Sequence, residues 1–373
     1  MRSAMMPANW GIIMSDAGAA AVPPAAGPRT YDFEFRGKGA EYFGIWIVNL
    51  ALTVITLGIY SAWATVRTRR YFRGNTMLAG HAFDYHASPV RILIGRAIAV
   101  GLLLAYNLSI AVSPYTMLFW TPLALLLIPW LIVSSLRFNA RNTSYRNVRF
   151  NFVGTYGGAA KAYYLWPILG MLTLGLLIPL ARRVRDYYYI NHHTYGGRPF
   201  ETRFDAGRIY GIYILALAMW FGFAIAAAVI AVAAGVSIAS MKAEPAQPPA
   251  AFLLLLFPAI AAAEFVVIGI GVWLMTQVFN LAVGNTVLDG RHRLRAELSG
   301  LHMTWILVTN IVLTVLTIGL FYPWAQVRVA RYRLSRMALE ASSDLDEFTS
   351  EAFATQSAVG EEIAGFFDLD FGL

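Results

Sequence analysis

The chain of 373 residues is 58% hydrophobic and 13% charged, with a mean hydropathy of +0.56, whereas soluble domains run at roughly 45–50% and about 25%. A cytosolic or secreted domain is excluded, and the absence of cysteine removes disulfides, thiolate nucleophiles and Cys-ligated metal centres. The net charge of +8 conceals a division, because nine of the 21 acidic residues lie from Glu340 to Asp370, beyond the last arginine, Arg336.

Residues 1–28, rich in Pro, Gly and Ala, lack the continuous apolar core of a signal peptide and are expected to be a disordered lead. The alternating run Tyr31-Asp32-Phe33-Glu34-Phe35 then predicts a strand. Seven apolar segments follow, near 42–63, 92–112, 117–136, 160–181, 210–239, 251–280 and 302–324, each close to the length that crosses a hydrocarbon core of ~30 Å. The second and third form a tight helical hairpin around Ser113-Pro114. Residues 337–373 are expected to be an acidic cytoplasmic tail set apart from a membrane domain over 29–336.

Two patterns recur along the chain. Thr56-Leu57-Gly58 aligns on Thr317-Ile318-Gly319 with Asn49 matched to Asn310, and a degenerate copy starts at Thr173-Leu174-Gly175. Gly58, Gly175 and Gly319 fall inside segments one, four and seven, where glycine permits a helix to break. If those segments enter and leave on one face, 28 of the 29 Lys and Arg share that face and only Lys242 opposes them. That arrangement obeys the positive-inside rule, whereas seven full crossings would divide the charges 13 to 16. Backbone opened by such breaks would have to be buried or line a wet cavity. A simpler alternative is a glycine used only for close helix packing in ordinary crossings.

The second pattern places Ala79-Gly80, Arg146-Asn147, Gly196-Gly197 and Asp289-Gly290 between short β-prone runs. These read as four hairpins with two-residue turns. The expected fold is therefore an all-α polytopic membrane protein with Gly-broken, re-entrant segments and a small cytoplasmic β-hairpin layer.

The run TLGIYSAWATVRTRRYFRGNTMLAG from Thr56 to Gly80, preceded by Phe33-Glu34-Phe35-Arg36-Gly37-Lys38-Gly39, resembles the YjgN-like family of bacterial inner-membrane proteins, over about residues 30–336. The resemblance implies a multi-pass protein of the bacterial cytoplasmic membrane. It brings no substrate, catalytic residue or cofactor.

Glu264 lies mid-segment in an otherwise uncharged stretch, where a carboxylate must be neutral, paired or facing water; it is a candidate proton or cation site, or a packing residue paired with Arg96. Asn49 and Asn310 are further polar candidates, or interhelical glue. Arg67, Arg70, Arg185, Arg328 and Arg331, interleaved with aromatics, suit anionic lipid headgroups or plain interfacial anchoring. No Walker, GxSxG or HExxH motif occurs, and the three histidines in or beside the hairpins, His81, His193 and His292, are not at equivalent positions, so no enzyme activity, metal or cofactor is expected. Nucleic acid is not an expected partner; anionic lipids are, with a second copy or a basic partner for the tail as further expectations. Transport or conduction is the leading expectation, by analogy with interrupted-helix transporters. A scaffold that organises anionic lipid is the alternative.

Overall fold

The computed structural model describes residues 29–233 and 250–363; the expected disordered lead lies outside them. One order of elements, strand, helical pair, strand, occurs five times. It runs first as β1 (Arg29–Phe35), α1 (Gly39–Ile55), α2 (Ser61–Gly74) and β2 (Thr76–Leu78), then as β3 (His81–Tyr85), α3 (Pro89–Val112), α4 (Met117–Arg141) and β4 (Thr143–Tyr145). The third set is β5 (Val148–Phe152), α5 (Tyr156–Ala160), a π turn, α6 (Trp166–Leu172), α7 (Ile178–Asn191) and β6 (His193–Tyr195). The fourth is β7 (Arg198–Thr202), α8 (Ala206–Ala233), α9 (Ala250–Gly284) and β8 (Thr286–Leu288). The fifth is β9 (His292–Ala296), α10 (Gly300–Leu316), α11 (Tyr322–Leu334) and β10 (Met337–Ala341), after which comes α12 (Leu345–Ile363).

The fold is not all-α. Ten antiparallel strands close into a barrel, with β1 paired both to β2 (Phe33 opposite Leu78) and to β10 (Tyr31 opposite Leu339). The four hairpins have unpaired outer edges, and each edge is satisfied by the next hairpin until β1 and β10 remove the last one. Sequence signals located the hairpins but not this closure, because β10 (MALEA) carries no alternation and lies beyond Arg336, where the tail was expected to begin.

Strands flanking a helical pair pair with each other, so all five helical pairs leave one end of the barrel and the tight turns occupy the other. Three turns contain two residues, both at positive φ (47° and 79° at Ala79-Gly80), which is the type I′ requirement. The fourth differs from the expected two-residue form: Asp289, Gly290 and Arg291 separate Leu288 from His292, and the Arg291 amide donates to the Leu288 carbonyl at 3.1 Å.

The barrel interior is a packed core containing Phe33, Leu78, Tyr145, Tyr195, Leu288 and Leu339. Amphipathic α12 closes the turn end by placing Leu345, Phe348 and Ala352 on that core. A Cβ on Gly196 would stand 2.7 Å from Cβ of Ala352, so that turn needs glycine for the helix to seat. Acids of α12 and the segment before it meet basic residues of the barrel, Asp346 with Arg146, Glu351 with Arg198 at 3.5 Å, and Asp344 with Arg29 at 3.7 Å.

Helices α3, α4, α8 and α9 are each long and apolar enough to cross a membrane. The other three helical sets break at the Thr-x-Gly sequences with one geometry: φ is 50° and 93° at Leu57-Gly58, 51° and 94° at Leu174-Gly175, and 51° and 87° at Ile318-Gly319. In each, the glycine amide donates back to a helix carbonyl, such as Gly319 to Thr314 at 2.7 Å. The threonine hydroxyl accepts from the first amides of the next helix, Tyr60 at 2.9 Å, Leu177 at 3.2 Å and Phe321 at 2.9 Å. The turn amides therefore need neither the burial nor the wet cavity expected for them. The turns satisfy their own amides, and their tips, Leu57, Leu174 and Ile318, are more than nine-tenths exposed, as suits an apolar surrounding. Pro179 and Pro323 sit in the first turns of α7 and α11, where no amide is needed.

Thr317→Val should leave the Phe321 amide without its acceptor and cost about 1–2 kcal/mol, whereas Thr317→Ser should be near neutral. Melting in detergent checks the pair; equal stability of the Val variant would show that the hydroxyl does not cap the turn.

His292 is fully buried, its ring centroid 4.3 Å from that of Phe348, and neither ring nitrogen has a hydrogen-bond partner among the described residues. Burial pushes its pKa below the ordinary value, Arg291 adds to this and Asp289 opposes it. The unfolded chain then binds the proton more readily, so stability should fall as pH drops through about 6.5. His292→Leu should flatten the melting-temperature profile below that pH; an unchanged profile would assign the acid sensitivity elsewhere.

Candidate functional site

The returning helices α2 and α11 follow a Gly turn and carry the basic residues down to the barrel. Their arginines divide into separate roles. Arg328 donates to Asn310 Oδ1 at 2.7 Å, and Asn310 also donates to the Ala325 carbonyl. Arg331 holds the Gly37 carbonyl at 3.0 Å, tying α11 to the loop after β1. Arg67 and Arg70 are exposed, and Arg185 lines a separate cavity beside Tyr213 on α8. The five arginines selected from sequence do not form one site.

Three cavities lie against α2. The largest, about 680 Å³, is a groove between α10, α11 and α2, walled by Leu307, Ile311, Thr314, Val315, Val329 and Ala330, with Arg333 near the barrel. From Tyr322 to Arg333 the groove follows α11 for ~16 Å at 1.5 Å per residue. A second cavity of about 360 Å³ shares Thr68, Tyr322 and Gln326 with the groove. A third, about 410 Å³, shares Arg69 with the second and lies at the helical end of the barrel, where Phe83 and Phe150 form part of its wall.

That third chamber is the polar one. Arg69 and Arg73, one helical turn apart on α2, line it together with Asn139 and Thr143, Tyr189 and His193. Arg69 donates to Tyr85 Oη at 2.7 Å and to Asn139 Oδ1. The Arg73 guanidinium lies 5.3 Å from the centroid of the Tyr85 ring. Burial lowers the Arg73 pKa from its usual value; Tyr85 opposes that shift and the Arg69 charge adds to it. His193 Nδ1 is 2.6 Å from the Tyr189 carbonyl, and burial lowers its pKa. No Asp or Glu is among the described lining residues.

Of the polar residues selected from sequence, Asn310 lines the groove and Asn49 the second cavity. Asn49 is buried and neither of its amide atoms has a partner among the described residues. Glu264 is exposed on α9 and lines none of the cavities described. Its suggested partner Arg96 instead donates to Ser61 and, at 2.8 Å, to Thr65. Arg69, Arg73 and Tyr189 belong to runs visible in the sequence, but only the i, i+4 spacing of the two arginines singles them out there.

Two long apolar helical pairs and three broken sets hung from one closed barrel define a multi-pass membrane protein. The sequence matches, over residues 30–366, the family described as bacterial protein of unknown function, DUF898, and the chain belongs to it. It is 27% identical over 360 residues to the inner membrane protein YjgN of Salmonella typhimurium, covering 85% of this chain and 90% of that one. To the inner membrane protein YjgN of Escherichia coli it is 30% identical over 156 residues, 42% of this chain and 39% of that one. No solved structure matches. The chain is thus a multi-pass protein of the bacterial inner membrane.

Asn310→Leu should strand the Arg328 guanidinium and destabilise the protein by about 1.5–3 kcal/mol. Asn49→Leu breaks no hydrogen bond and should leave melting unchanged or raised. Equal losses for both variants would show that Asn49 has a structural partner after all.

Proposed function

We propose that the protein takes an anionic amphiphile from the bilayer, with its acyl part along the α10/α11 groove and its charged end toward the barrel. The observation that carries this is the polarity gradient of the groove: apolar from Ile311 to Val315 beside the Gly turn, cationic at Arg333 beside the barrel. A lipid in the adjoining leaflet has the same order of tail and headgroup. On this reading the barrel faces the cytoplasm, where the positive-inside rule favours the basic residues.

Of the two sequence-based expectations, lipid handling gains more support than conduction, since Tyr145, Tyr195 and Phe348 fill the barrel axis. One observation favours movement of the amphiphile over static scaffolding: the groove shares a wall with the second cavity, which in turn shares Arg69 with the third. Native mass spectrometry of the detergent-purified chain should show retained phospholipid. Ile311→Trp, which fills the groove, should remove it without lowering the melting temperature. Undiminished lipid in a well-folded Ile311→Trp variant would discard the groove as the binding site.

A further inference from the structure

We infer that the chamber between α2, α4 and α7 is a phosphoryl-binding site, with Arg73 as its principal ligand. The inference rests on the preceding one only for the route by which a lipid would arrive; the site itself stands on its own side chains.

Two guanidinium groups face one cavity of about 410 Å³ with no carboxylate among its described lining residues, and neither arginine forms an ion pair among the described residues. Placing two like charges side by side in a partly buried cavity is unfavourable unless an anion completes the set. Arg69 is held in position by Tyr85 and Asn139. Arg73 lies over the Tyr85 ring, and no side-chain hydrogen bond occupies its donors among the described residues. One cation is thus preset and the other open, an arrangement that suits a planar fork meeting several oxygens. Tyr189 supplies a further hydroxyl on the wall, while the Thr143 hydroxyl is taken up by the Asn139 carbonyl at 2.7 Å.

Two positive charges match the roughly −1.5 to −2 of a phosphate monoester better than the single charge of a carboxylate. The volume admits several water-sized groups, each about 30 Å³. The ligand is therefore a phosphoryl group, carried either by free phosphate or by the headgroup of a lipid that reaches Arg69 along the shared walls.

The test uses the full chain in an uncharged detergent and in nanodiscs. Binding of inorganic phosphate is followed by calorimetry, and binding of phosphatidic acid, diluted in phosphatidylcholine, by native mass spectrometry. Arg73→Gln should weaken whichever ligand binds by about tenfold or more, roughly one lost charge-assisted contact. Arg67→Gln, on the exposed face of the same helix, should not. Arg73→Lys keeps the charge without the fork and should give an intermediate loss; it serves if the Gln variant does not fold. Binding of inorganic phosphate identifies free phosphate as a sufficient source, and binding of phosphatidic acid alone identifies the headgroup. Ile311→Trp separates this inference from the groove: it should abolish phosphatidic acid binding through the groove while leaving phosphate binding intact. Failure of both probes to bind the wild-type chain, or equal binding by wild type and Arg73→Gln, overturns the assignment.

Discussion

Everything in this molecule hangs on one pairing, that of β1 with β10, which turns a row of hairpins into a closed ring. An open sheet of short strands would expose two unpaired edges. Closure satisfies them and fixes every helical pair at the same end. The pairing joins residues near the two ends of the described chain, Arg29 opposite Ala341 and Asp32 opposite Ala338. The ring is therefore complete only when the whole sequence has been threaded through five helical sets. Helix α12 then seals the turn end, so the barrel acts as a solid hub to which helices are fixed.

A second constraint governs the other end of the helices. Lipid offers no hydrogen bonds, so a helix that breaks within an apolar segment must satisfy its own amides. The Thr-x-Gly turn does this with two devices. Glycine at positive φ lets its amide reach back to a carbonyl of the preceding helix, and threonine caps the following one. The reward is a turn whose outermost side chain can be Leu or Ile. This explains why the sequence is repeated so closely at Thr56 and Thr317 while the residues around it vary.

The arginines show how one composition serves different ends. Arg328 and Arg331 are consumed by Asn310 and the Gly37 carbonyl and hold α11 in place. Arg146, Arg198 and Arg29 meet the acids around α12. Arg69 and Arg73 meet no acid among the described residues, and they face a cavity. A charge with no partner among the described residues points outward to a ligand more directly than any abundance of basic residues does.

Composition by itself determined that this is a membrane protein, because apolar segments of that length have no other stable surroundings. The four hairpin turns were legible for a similarly local reason: residues at positive φ must be Gly, Asn or Asp far more often than others. The Thr-x-Gly breaks were also legible, although their self-satisfied amides were not, since hydrogen-bond geometry depends on three-dimensional positions. Glu264 stood out by sequence and lies exposed on α9; Arg73 blended into a basic run and lines a chamber. Tertiary structure alone decided barrel closure, the seat of α12 and the convergence of α2, α4 and α7. Each of these joins segments far apart in the chain, and the energy of such contacts resides in the pairing of surfaces, which no single stretch of sequence records.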